Sequence, residues 1–418
     1  MLSRKSIAWA LYDWANSAFA LSVLAVLFPI FLGSYWSVND SGADVTARLG
    51  LITAASAFIV SIAAPVLGAI ADAGGYRKRF LVIFAFAGAA MTAALALPGE
   101  GDWQWALALY LLASVGFYGS TIFYDSLLID VAEPDEYDIV STLGYSLGYL
   151  GGALLLALHV WMLRSPSTFG MSNAAEVIKF AFFSVGAWWA LFLIPLIANV
   201  PEKIRKKTDM RGVVSKAFRE LGHTFTHIRQ YRNVIRFLIA YWLYVGGVFT
   251  VISMAANYGQ RLGFADSDLV LAFMITNLAG FPATLLHGFL GKKYGARNGI
   301  YLALIIYVLV SSWAVFMTEV RQFFIMAIIV GCIQGGVQGL SRSLYASLIP
   351  EDQPGEFFGF YNMITKFSHV VGPMAVGLAA LLSDNPSVVL IALLPMFIVG
   401  GLLLTRVDLS GDSDCRVR

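Results

Sequence analysis

This 418-residue chain is poor in charge: 13% of its residues are Asp, Glu, Lys or Arg. A soluble globular domain carries about 25%, so an ordinary water-facing surface is excluded. Cysteine is scarcer still. Cys332 falls in an apolar run and Cys415 in the tail, and the two fit neither a metal-ligand spacing nor a disulfide framework. No glycine-rich loop runs into Lys-Ser or Lys-Thr, which argues against a nucleotide-driven pump. No His-Glu metal motif occurs, and Gly144-Tyr-Ser-Leu-Gly148, though spelled like a nucleophile elbow, lies inside an apolar helical run and not at a strand-to-helix turn, which argues against an enzyme and leaves no call for a metal or cofactor. A net charge of +2 argues against a nucleic-acid partner. The first apolar stretch, Ile7 to Tyr35, is too long for a signal peptide and lacks a small-residue cleavage site, so it reads as an uncleaved first helix.

What the chain has in abundance is apolar sequence, 58% of it, with a mean hydropathy of +0.73. The expected class is an all-α membrane protein, because lipid cannot satisfy an open backbone. Twelve spans are expected, roughly 7–35, 47–71, 80–98, 103–131, 139–163, 175–199, 233–261, 267–290, 298–317, 321–349, 356–382 and 387–406. They divide into a six-helix bundle over 1–199, a polar linker over 200–232 and a second six-helix bundle over 233–418. Interior prolines such as Pro65, Pro195 and Pro282 are tolerated in such helices.

Lys and Arg set the expected orientation. With both termini in the cytoplasm, inside segments hold twenty of them and outside ends five, the bias that fixes topology. The acidic stretches Glu133 to Asp138 and Glu351 to Glu356 run against that bias locally, but acidic residues weigh little in the rule. The linker holds Lys203, Arg205, Lys206, Lys207, Arg211, Lys216, Arg219, Arg229 and Arg232. It reads as a connector lying on anionic lipid headgroups. Within it Val213, Val214, Ala217, Phe218, Leu221 and Phe225 recur at helical spacing, as in an interfacial amphipathic helix.

Two internal repeats stand out. Gly68, Asp72, Gly75 and Arg77 return as Gly288, Lys292, Gly295 and Arg297, each offset by 220. Both sets sit in short basic turns between apolar spans. The second repeat pairs Tyr124-Asp125-Ser126 with Ser341-Arg342-Ser343 at an offset of 217. It sets Asp125 opposite Arg342, both inside apolar spans, where each charge alone costs about 2.5–3.5 kcal/mol. Two readings stay open: a structural ion pair, or a grip on the two ends of a zwitterion. Other polar residues form helical stripes: Asp13, Asn16 and Ser17; Tyr118, Thr121 and Asp125; Gln334, Gln338 and Arg342; Asn362, Lys366 and His369. Lys366 is the reserve cation. His159 and His287 read as helix-end hydrogen-bonding groups. Tyr241, Trp242 and Tyr244 form an aromatic wall or simply pack.

The basic turn Gly68 to Arg79 resembles the helix 2–3 loop signature of the major facilitator superfamily, whose members are two pseudo-symmetric six-helix halves around a central solute site. The opening of the first span, Trp9-Ala-Leu-Tyr-Asp-Trp-Ala-Asn-Ser-Ala-Phe19, looks like that of the vacuole-effluxer-like branch. Fungal members of that branch export amino acids from vacuoles during autophagy. The resemblance implies that helices 1, 4, 7 and 10 line the cavity. It also implies that Gly68, Asp72 and Arg77, with Lys292 and Arg297, latch the halves on the cytoplasmic side. Two departures matter: Ala73 stands where a basic residue is common, and Lys292 stands at the aspartate position. The expected function is a secondary active transporter of a small polar solute, foremost an amino acid or similar zwitterion, working by alternating access. The alternatives are a sugar or glycoside cation symporter and, more remotely, a non-transporting receptor or assembly factor. A monomer in the plasma membrane is expected, with lipids as neighbours and protons as coupling ion, carried on Asp13 or Asp125.

Overall fold

The structure is a computed structural model that describes residues 2–202, 210–226, 228–382 and 391–409. Lys203 to Lys207 of the linker, the start of the last predicted span and the tail with Cys415 lie outside the described residues.

Apolar runs become helices because only a helix satisfies its own backbone in lipid. In chain order the long helices are α1 (Arg4–Trp36), α2 (Gly42–Gly74), α3 (Arg77–Ala94), α4 (Trp103–Ser126), α5 (Tyr137–Arg164) and α6 (Ala174–Asn199). After the linker come α7 (Arg232–Arg261), α8 (Asp266–Tyr294), α9 (Ala296–Ala314), α10 (Val320–Leu348), α11 (Pro354–Leu382) and α12 (Leu394–Leu404). Among the described residues, nine helices are long and apolar enough to cross a membrane. Helix starts follow local chemistry. The Ser3 and Ser41 hydroxyls cap α1 and α2 by accepting from Ser6 N and Asp44 N, and Glu319 and Gln322 form a capping box on α10. Gly75 closes α2 at φ 69°, a left-handed conformation that glycine adopts without steric cost. The fourth helix ends at Ser126 rather than at the expected 131. Its last expected turn is a separate short helix, Leu128–Val131.

Helix pairings repeat six helices on. Helix α1 packs on α5 and α6, as α7 packs on α11 and α12. Helix α3 packs on α4 and α6, as α9 packs on α10 and α12. Between the halves, α2 lies on α11 as α8 lies on α5, and α4 touches α11 as α10 touches α5. This is the two-fold pseudo-symmetric arrangement of twelve helices that the 220 and 217 offsets predict. The linker helix, Met210–Thr226, packs on α2. Its Ala217 is buried against Ala69 and Ala73 while Phe218 stays exposed. The side chains of Val213 and Phe225 lie outside the described residues.

Candidate functional site

The strongest feature lies near the C-terminal ends of α4 and α10, where Asp125 and Arg342 stand. Arg342 is 1% exposed. Its Nη1 donates to Asp125 Oδ1 at 3.0 Å, its Nε to Ser141 Oγ at 2.9 Å and its Nη2 to the Ser141 carbonyl at 2.8 Å. Asp13 Oδ2 lies 3.5 Å from Nη2 and accepts from the Tyr124 hydroxyl at 2.8 Å. Asn362 donates to the other Asp125 oxygen at 3.0 Å. The rings of Trp9, Tyr124 and Tyr145 surround the guanidinium, their centroids 4.8, 5.2 and 4.3 Å from Cζ. A planar guanidinium suits this combination of forked donation and ring contact. Five helices meet here: α1, α4 and α5 from one half, α10 and α11 from the other. Gly144 of α5 makes the approach possible, since a Cβ there would sit 2.6 Å from the Tyr124 hydroxyl and 2.7 Å from Asp13 Oδ2.

The remaining expected residues spread along the same helices. Lys366 Nζ rests 3.7 Å from the centroid of the Tyr118 ring. Asn16 is buried one turn from Asp13, and Gln338 is buried one turn from Arg342. Thr121 bonds its own helix at the Phe117 carbonyl, 2.9 Å away. Gln334 lies two turns from Arg342, beside Tyr149. The His369 side chain lies outside the described residues. Tyr241 stacks on Tyr361 at 4.5 Å, and Tyr244 shares a 2.7 Å hydrogen bond with Ser341, so both pack. The two histidines bond locally, His159 with Ser184 and His287 with the Ala283 carbonyl. Sequence reasoning did not pick out Ser141, Tyr145 or Gly144. The signal was available: Ser141, Tyr145 and Tyr149 follow the same i, i+4, i+8 spacing as Gln334, Gln338 and Arg342.

A second set of contacts joins the halves at the end that carries the basic turns. Asp72 Oδ2 accepts from the backbone N–H of Glu356, at the start of α11, at 2.8 Å. Such a carboxylate satisfies a free N-terminal donor and favours the positive dipole end of the helix. Arg77 lies 3.5 Å from Asp72 and 2.8 Å from Asp130, and donates to the Ser126 carbonyl at 3.1 Å. Gly68 lies against the Gly355 backbone. At the repeat-related position Lys292 reaches Asp135 at 3.0 Å, and Ser343 donates to Asp138. Arg297 turns away to the Val407 carbonyl at 3.1 Å, within its own half. The acidic stretches that ran against the charge bias therefore supply the partners at the starts of α5 and α11.

A family model described as vacuole effluxer Atg22 like matches residues 42–413. The chain belongs to the Atg22-like vacuole effluxer family. It is 36% identical over 415 residues to the Bacillus subtilis (strain 168) protein named "Uncharacterized MFS-type transporter YxiO", covering 99% of this chain and 96% of that protein. It is 22% identical to Autophagy-related protein 22 of Saccharomyces cerevisiae (strain ATCC 204508 / S288c) over 458 residues, covering 88% of this chain and 85% of that one. Among solved structures, the human organic anion transporter MFSD10 (TETRAN) superposes with a TM-score of 0.74 at 15% identity, over 96% of this chain and 99% of its own. The proton:xylose symporter XylE, solved with 6-bromo-6-deoxy-D-glucose, gives 0.71 at 15% identity, over 97% and 94%. These structures share the fold. This family member is a multi-pass integral membrane protein and an MFS-type transporter; its relatives and neighbours are transporters, not enzymes.

Proposed function

We propose that the chain is a secondary active transporter of a small polar solute, foremost an amino acid or similar zwitterion, working by alternating access. The observation that carries this reading is the buried Asp13–Arg342–Asp125–Asn362 cluster. Every polar contact that Arg342 makes in it crosses from the second half to the first. The halves cannot separate at this depth without breaking those contacts. Breaking a buried pair costs about 3–5 kcal/mol when nothing replaces the lost partner. A solute that brings its own charges can replace it, so solute binding and the movement of the halves become coupled. Among the described residues of this layer, Asp13, Asp125, Arg342 and Lys366 sum to zero charge. A zwitterion leaves that balance intact; a net ion does not.

In this reading the α2–α11 and α8–α5 crossings are the latch, holding the conformation closed at the basic-turn end. The Lys and Arg bias supports that end, and both termini, on the cytoplasmic side, and in this reading the membrane is the plasma membrane. The domain limits 1–199, 200–232 and 233–418 follow as the moving units and their connector. Proton coupling falls to Asp13 or Asp125, which face the same guanidinium.

Counterflow into proteoliposomes tests the proposal. Vesicles loaded with unlabelled amino acids should take up labelled amino acid faster than protein-free vesicles. An imposed pH gradient should drive accumulation in the wild type and not in an Asp13→Asn, Asp125→Asn double variant. Exchange of sugars alone would replace the amino-acid reading with the sugar-symporter one. Absence of exchange for every solute would sink the transporter mechanism.

A further inference from the structure

Two cations occupy the membrane-embedded site, and they are treated differently. Arg342 makes three hydrogen bonds and meets two carboxylates. Lys366, half-buried on α11, has one direct partner among the described residues, a ring: the face of Tyr118 on α4. Among the described residues no carboxylate lies within 4.0 Å of its Nζ and no acceptor takes a hydrogen bond from it. One turn away, Asn362 is already committed to Asp125 and to the Phe358 carbonyl. Lys366 thus stands one turn of α11, about 6 Å, from the residue that joins the Arg342 cluster, within electrostatic range of Asp125 but out of contact with it.

A lone ammonium in an apolar span is expensive, and an aromatic face compensates only part of its lost hydration. Arg342 has little donor capacity left for a solute anion. Lys366 has all of it: three N–H donors on a flexible four-carbon stem. We infer that Lys366 is the carboxylate-binding residue of the solute site, with Tyr118 as its resting place when no solute is bound. The inference rests on the transporter reading above and sharpens it. The acid group of the solute sits at the α4–α11 face, and the Asp125–Arg342 pair is not its receptor. Lysine suits a carrier that must also let go, because it binds a carboxylate as a point charge and not through the bidentate fork of arginine. A single lysine also matches the single charge of a carboxylate better than the two of a phosphate.

The test uses the full-length purified protein and matched probes: glycine, alanine, leucine, glutamine and lysine, each beside its carboxamide. A carboxylate subsite predicts that at least one acid raises the wild-type Tm, since a ligand of the folded state stabilises it, while its amide does not. Lys366→Gln should weaken binding of that acid at least tenfold; Lys366→Arg should keep part of it. Lys366→Met, which removes a lone charge from the membrane, should leave the unliganded Tm unchanged or higher and serves as the fold control. Amides that bind as tightly as acids overturn the inference, as does Lys366→Gln binding at wild-type affinity. If no acid in the set stabilises the wild type while proteoliposomes exchange some other solute, the carboxylate subsite falls and the transporter reading stands.

Discussion

Where α2 crosses α11, backbone touches backbone: Gly68 lies on the Gly355 carbonyl, and the buried Asp72 accepts the Glu356 N–H. Where α8 crosses α5, the repeat-related glycine, Gly288, meets a side chain, the Thr142 hydroxyl. The polar contact beside it is a Lys292–Asp135 pair whose side chains are 43% and 73% exposed. The two crossings occupy equivalent places in the pseudo-symmetric fold, and the second is closely packed too, with the Ser146 hydroxyl donating to the Phe281 carbonyl at 2.6 Å, yet only the first is closed by a buried carboxylate on a helix N-terminus. Helix crossings in lipid draw on close packing and hydrogen bonds, because lipid supplies no hydrophobic drive between helices. A carboxylate on a buried helix terminus keeps its strength away from water. A lysine pair in solvent is screened and worth little. The α2–α11 crossing is therefore the one that should resist opening, with α8–α5 the more compliant hinge.

The largest expected effect tests that asymmetry directly. A methyl at position 68 would collide with the Gly355 carbonyl oxygen, and backbone cannot rotate away. Gly68→Ala should cost about 1–3 kcal/mol by overpacking and should raise labelling of a cysteine probe placed on the cavity side of Asp72. Gly288→Ala meets the Thr142 side chain and not backbone, so thermal unfolding should register a smaller loss, and labelling should hardly change. Equal effects at the two positions would erase the distinction.

Next comes Asp72→Ala, which removes the acceptor of the Glu356 N–H and one carboxylate beside Arg77. Loss of a capping acceptor costs about 0.5–2 kcal/mol. Arg77 keeps Asp130 and the Ser126 carbonyl, so the turn should stay folded and the change should appear mainly as greater access from the basic-turn end. Asp72→Asn retains an acceptor oxygen and should fall between wild type and Asp72→Ala. An Asp72→Asn variant that labels more than Asp72→Ala would show that the cap is not what holds α11.

Much of this was legible in the chain because it is written in charge and period. Hydropathy located the helices but blurred their starts: α1 and α2 begin at Arg4 and Gly42, behind the Ser3 and Ser41 caps, and not at the expected 7 and 47. Asp125 and Arg342 were legible because a charge in an apolar span is conspicuous and its repeat partner sits 217 residues on. Their third partner was not. Ser141 holds Arg342 through a hydroxyl and a carbonyl; its stripe with Tyr145 and Tyr149 was there to be read, but it carries no charge to make it conspicuous, and the carbonyl leaves no mark in sequence at all. That Asp72 would meet the start of α11 was legible, because a carboxylate at a helix end suits a neighbouring helix's free N-terminal donors; which residue supplies the donor was not, since Glu356 donates through its backbone N–H, a group every residue except proline has. The acidic stretches 133–138 and 351–356 were visible but weighed only as exceptions to a topology rule. The rule counts charges and cannot see that Asp135 lies in reach of a lysine 157 residues away.

The smallest expected effect is at Lys292, and its smallness is the point. The Asp135 carboxyl already belongs to the N-terminal side of α5, where its charge favours the helix dipole with or without a lysine nearby. Water and salt compete for both side chains. Lys292→Gln should therefore leave the thermal midpoint within measurement scatter at 0.5 M salt, and shift it only slightly at low salt, where screening is weak. Cysteine labelling at the basic-turn end should match the wild type. Reversing the charge is the stronger version: Lys292→Glu sets a third carboxylate beside Asp135 and Asp138, and should open the α8–α5 crossing without touching α2–α11. If Lys292→Gln instead loosens the protein as much as Asp72→Ala does, the exposed pair carries as much of the closure as the buried cap. The two crossings would then have to be treated as one symmetric latch.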